Sequence, residues 1–169
     1  MKEALFIFSY STLYSLLEIE LEAKEGWCKN LPTPVVLGHF TLYHVLMNII
    51  VIITILKVYV KDVNSLAKGI YYIALWFLVE DFMWFVMNPY YKIEKYKKEY
   101  IWWHARREWY NGIPEHNYVG GLVVVICWLL SKEKMKMCSN LMYILIFVLL
   151  GIMYSEYYHK YYISIHKFE

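Results

Sequence analysis

The chain has 169 residues, of which 60% are hydrophobic, 20% aromatic and only 19% charged. A water-soluble domain carries about 25% charged and 45–50% apolar residues, so this composition fits lipid better than water as a solvent. Seventeen Lys and Arg stand against fifteen Asp and Glu, a net charge of +2 too balanced for a nucleic-acid partner. Seven Gly and four Pro exclude collagenous or low-complexity material. Cys28, Cys127 and Cys138 cannot all pair with one another, and their spacing fits neither a zinc knuckle nor a disulfide framework.

The first apolar segment, Leu5 to Leu17, follows Lys2 and is succeeded by Leu17-Glu18-Ile19-Glu20 in place of a small-residue cleavage site, so it reads as a retained helix. Ser11, Ser15, Glu18 and Glu22 share one helical stripe, which should face protein. A second segment is uncharged between Lys29 and Lys57; it enters through Pro32 and Pro34 and has its core from Val35 to Leu56. A third runs from Gly69 to Asn88, stops at Pro89 and is interrupted only by Glu80 and Asp81. A bilayer core of about 30 Å needs about 20 such residues as a helix.

The connection from Tyr90 to Asn117 interleaves six basic residues with Tyr96, Tyr100, Trp102, Trp103 and Trp109. Ile93, Tyr96, Tyr100 and Trp103 are spaced for one helical face, the pattern of an amphipathic helix lying in the headgroup plane. The fourth segment, Tyr118 to Leu130, is short and must borrow flanking residues; the fifth lies between Lys136 and Glu156, centred on Leu141 to Tyr154. The expected fold is therefore all-α, one domain over residues 1–169. It is a multi-pass membrane bundle of about five transmembrane helices plus one interfacial helix within 90–117. Counting Lys and Arg on alternate sides gives ten on the side of the 90–117 connection and seven on the other, which leans that connection toward the cytoplasm.

Up-and-down threading puts the ends of segments one, three and five beside the beginnings of two and four. Glu18, Glu22, His39, His44, Glu80, Asp81, His104, Glu115, His116, Glu156 and His159 then fall in one half of the bundle, and the other half is expected to hold almost no ionisable groups at depth. On this reading His44 lies about 15 Å below the start of its span. A charge at such depth costs at least about 2.5–3.5 kcal/mol and should be paired or functional. His44, Thr41 and Asn48 form a polar stripe on the second helix. Glu156-x-x-His159 has the i, i+3 spacing of carboxylate-bridged dimetal bundles, although such bundles need two pairs and this chain has one. His166 reads as a solvated tail residue.

Imidazole and carboxylate ligands suit Zn, Fe or Mn. The expected ligands are His44, Glu80, Glu156, His159 and His104; Glu18 and Glu80 carry the chemistry, and Arg107, Asn48 and Trp103 contact substrate. His39, Asp81 and His116 come behind these. A haem held by His44 and His159 is a further option that no attachment motif supports. Zinc-deaminase, metalloprotease, nucleophile-elbow and phosphate-loop signatures are all missing from the sequence. The expected function is a membrane-embedded metal-dependent enzyme acting on a lipid or other apolar substrate. The alternatives are a non-enzymatic membrane subunit, alone or as a homo-oligomer, whose polar layer is structural, and a proton or ion relay. Membrane lipids, and not nucleic acid, are the expected partners.

Overall fold

The structure is a computed structural model that describes all residues except 23, 28, 30, 39, 105–107 and 167–169, and all side chains of the rest except those of Leu37 and His104. The described chain is mostly helical: α1 (Lys2–Glu22), α2 (Leu42–Tyr59), α3 (Leu66–Met87), α4 (Glu115–Leu130) and α5 (Lys134–Ile165). Two short hairpins join them, β1 (Val35–Leu37) with β2 (Phe40–Thr41), and β3 (Trp109–Tyr110) with β4 (Ile113–Pro114). The helices α1, α2, α3 and α5 are long and apolar enough to cross a membrane; α4 has 16 residues and is shorter.

The α3 helix is the centre. It packs against α1, α4, α2 and α5 and buries Tyr71, Tyr72, Leu75, Trp76, Val79 and Met83. That demand explains its composition, since a helix surrounded on all sides has no polar face to keep. The α1 stripe faces this core: Ser11 and Ser15 are fully buried. Both donate back to carbonyls in the preceding turn, and Ser15 Oγ also donates to the Glu80 carbonyl of α3 at 2.9 Å. Gly151 of α5 sits so close to Met83 that a Cβ there would stand 2.8 Å from its Cε.

Three sequence expectations are corrected. Val35–Thr41 is a hairpin, with Val35 opposite Thr41 and Leu37 opposite Phe40, and not the start of the second helix. Pro34 disfavours helix before it, Val35 and Val36 favour extended backbone, and Gly38 turns the chain at φ +58°. Helix α2 therefore starts at Leu42 and His44 sits in its first turn, not 15 Å along it.

The connection after α3 is not an amphipathic helix either. It consists of 3-10 turns at Ile93–Lys95 and Trp102–His104 followed by β3–β4. Its aromatic residues do not share a face: Tyr96 and Trp103 dock on Phe85 at the end of α3, whereas Ile93 and Tyr100 stay exposed. Finally, the other end of the bundle is not poor in ionisable groups. Glu3 Oε1 meets Lys68 Nζ at 3.2 Å and Lys136 Nζ at 2.7 Å, and Lys68 also reaches Glu133 at 3.0 Å. Glu3 Oε2 accepts from Tyr72 Oη at 2.8 Å and from Asn140 Nδ2 at 2.7 Å. These charges flank the apolar runs in sequence, which made them look like ordinary solvated ends.

Candidate metal centre and cavity

A cavity of about 550 Å³ lies toward the end of the bundle where α1 and α3 finish and α2 and α4 begin. Glu18 and Glu22 of α1, His44 and Asn48 of α2, Glu80 and Asp81 of α3, and His116 and Asn117 of α4 line it. Four helices thus contribute polar side chains to one space.

The closest set is Glu18, Glu22 and His44. Each offers one ligand atom, and these atoms all lie within 4.8 Å of one another. His44 is buried, and its two ring nitrogens have distinct surroundings. Nδ1 is 2.8 Å from Thr41 Oγ1, the residue that caps α2. Nε2 lies 3.7 Å from Glu22 Oε1 and makes no hydrogen bond. Tetrahedral ligands at about 2.1 Å from a cation are about 3.4 Å apart, so the His44–Glu22 separation is already close to that of a ligated pair. Holding one imidazole nitrogen with an outer partner while the other faces carboxylates is how proteins orient metal-binding histidines.

Glu80 lies beside Glu18, and its Oε1 is buried without a hydrogen-bond partner. A cation seated among these carboxylates would offset their mutual repulsion. The facing wall carries a different pair, Asp81 Oδ2 at 3.5 Å from His116 Nε2. Asn117 Nδ2 donates to Tyr96 Oη at 2.5 Å. Burial, then the neighbouring Asp81 carboxylate, pushes the Tyr96 phenol up, so it keeps its proton.

Aromatic rings close the outer end. Trp27 stacks on His44 with ring centres 4.3 Å apart, and Trp103 packs against Trp84 at 5.6 Å. Gly26, at φ +66°, permits this closure, because a Cβ there would stand 2.6 Å from the Trp103 ring. Trp27 itself holds left-handed backbone at φ +50°. The connection pins the loop after α1 through Tyr91 Oη to the Lys24 carbonyl at 3.2 Å and Trp102 Nε1 to the Glu25 carbonyl at 3.1 Å.

Of the residues singled out from sequence, Glu18, His44, Asn48, Glu80, Asp81, Trp103 and His116 line the cavity. His116 is in the first turn of α4, not in a loop. Glu156 and His159 stand apart. Glu156 pairs with Lys92 at 3.0 Å with its side chain 60% exposed, and His159 Nε2 is 2.9 Å from the Val86 carbonyl, so neither lines the cavity. His44 and His159 consequently do not face a common haem-sized space. His39, Arg107 and the His104 side chain lie outside the described residues. His166 is not simply solvated: it lies 2.8 Å from Glu20 Oε2 and stacks on Tyr162. Sequence reasoning placed Glu22 in this layer without making it a ligand and passed over Trp27 and Tyr14; all three also line the cavity. Glu22 shares the stripe of Ser15 and Glu18, which was signal enough to promote it. The chain matches no known protein family, no curated protein and no solved structure.

Proposed function

We propose that this chain is a membrane-embedded, metal-dependent enzyme whose site lies near one membrane face and acts on a lipid or other apolar substrate. The observation that carries the reading is the convergence of Glu18, Glu22 and His44, with the unbonded His44 Nε2 turned toward Glu22. Membrane insertion as a multi-pass bundle is supported by four helices of sufficient length and apolarity and by the outward Leu145, Ile146, Leu149 and Met153 of α5. The ten-to-seven excess of Lys and Arg leans the cavity end toward the cytoplasm.

The donor set is one nitrogen and two carboxylates, which suits Zn, Fe or Mn. When bound, such a cation would supply Lewis acidity and an acidified water beside the substrate. The chain's residues do the rest. His44 Nδ1 is held at Thr41, 2.8 Å from its Oγ1 and accepting from its backbone N–H at 3.4 Å, which fixes the ring with Nε2 turned toward Glu22. Glu80, on the cavity wall with its Oε1 free of hydrogen bonds, is placed to exchange a proton with substrate. Asp81 stands 3.5 Å from His116 Nε2 and positions it to pass a proton to a leaving group. Trp27, Trp84 and Trp103 exclude water from the outer end.

Elemental analysis of detergent-purified protein tests the proposal. About one equivalent of Zn, Fe or Mn is expected, lost in His44→Ala and Glu22→Gln. Folded protein that holds no metal after incubation with each of the three would overturn it.

A further inference from the structure

The cavity has a second, apolar half that the metal site does not use. From Asp81 the α3 helix runs back to Ile70, about 16 Å at 1.5 Å per residue. Ile70, Ile73, Ala74 and Phe77 form the floor of this stretch, and Val119 and Val123 of α4 form a wall. Its acids, imidazoles and amides gather at the Glu18–Asp81 end. Small residues keep the slot open and shaped. Ala74 contributes only a methyl to the floor. Gly120 lets α4 approach α3, since a Cβ there would stand 2.9 Å from Leu78 Cδ2. At the far end the lining residue Ile70 is 38% exposed, so the apolar half reaches the surface of the bundle there.

We propose that the slot takes the hydrocarbon tail of a single-chain lipid amphiphile, whose oxygen-bearing head reaches the Glu18–Glu22–His44 and Asp81–His116 groups. The head's placement rests on the proposed metal site; the tail's does not. An extended chain advances about 1.2 Å per bond, so the slot accommodates roughly a dozen carbons. The whole cavity, polar and apolar halves together, holds about 550 Å³, within the range of small-ligand sites, and it suits one chain with its head better than a two-chain phospholipid. Entry is past Ile70, which is where a membrane-dissolved chain would arrive.

The test uses a primary alcohol of about a dozen carbons with a photoreactive diazirine at the chain end, added to the detergent-purified full chain. Adducts are mapped by mass spectrometry. The expected result is labelling concentrated at residues 70–77 and 119–123, competed by excess unlabelled alcohol and cut about tenfold in Ala74→Phe or Val123→Phe. Whichever of these variants keeps the wild-type thermal transition is the informative one. Adducts spread over outward α5 residues, or indifferent to both plugs, would overturn the inference. A chelator-treated arm separates the two claims. Slot labelling that persists in protein shown to bind no metal upholds the tail site and removes the metal. Metal binding without slot labelling does the reverse.

Discussion

The two ends of this bundle handle buried charge in opposite ways. At the Glu3 end every acid meets a cation or a donor: Glu3 takes Lys68, Lys136, Tyr72 and Asn140, and Glu133 takes Lys68 and Lys136. At the cavity end Glu18, Glu22, Glu80 and Asp81 gather with two imidazoles and no Lys or Arg among the described lining residues, and Glu80 Oε1 and His44 Nε2 go without hydrogen bonds. A closed ion-pair cluster fastens helices. An acid-rich cluster buried without such cations costs stability and persists where binding or chemistry needs it.

Substitutions can break this contrast. Lys68→Met should be the most damaging, because it removes a buried cation and leaves Glu3 and Glu133 to share Lys136. A loss of about 3 kcal/mol is expected, read as a lower thermal midpoint in detergent. At the cavity, Thr41→Val should leave the fold intact yet weaken metal binding about 10–100-fold in titration calorimetry, because it frees the His44 ring. An unchanged affinity would show that Thr41 does not orient the ligand. Glu80→Gln goes the other way in metal-free protein: it removes a buried acid from beside Glu18 and should raise stability by about 1 kcal/mol. A marked loss would mean that Glu80 is structural.

The smallest effect concerns pH. Hydrogen bonding to Lys68 holds the Glu133 carboxyl below the usual carboxylate range. Its contribution is therefore present above that range and fades as pH falls through the lowered value. Glu133 is nearly half exposed, so the term should stay under about 1 kcal/mol. Melting curves of wild type and Glu133→Gln should differ at neutral pH and converge in acid; a gap that widens in acid would contradict the pairing.

The layer of polar residues at one end was legible in sequence because helix alternation alone brings residues 18, 44, 80 and 116 together. What hydropathy could not distinguish was conformation within an apolar run. Val35-Val36 reads as membrane helix by polarity, yet its β-branching, Pro34 and Gly38 make it a hairpin. The spacing of Ile93, Tyr96, Tyr100 and Trp103 matched a helix, but Tyr96 and Trp103 found partners on α3 and the helical period lost its meaning. Glu156-x-x-His159 looked like a ligand pair because its spacing is local, whereas its actual partners, Lys92 and the Val86 carbonyl, come from tertiary packing. Glu3 and Lys68 were underrated for the same reason: 65 residues separate them in sequence.

The central claim is that His44 and the α1 carboxylates hold one cation between them. Electron spin-echo spectroscopy of the Mn(II)-loaded protein reads this directly, because a coordinated imidazole nitrogen modulates the echo. The account predicts one such nitrogen, absent in His44→Ala and retained in His159→Ala. A signal with no nitrogen, or one that disappears with His159 and survives the loss of His44, would contradict it.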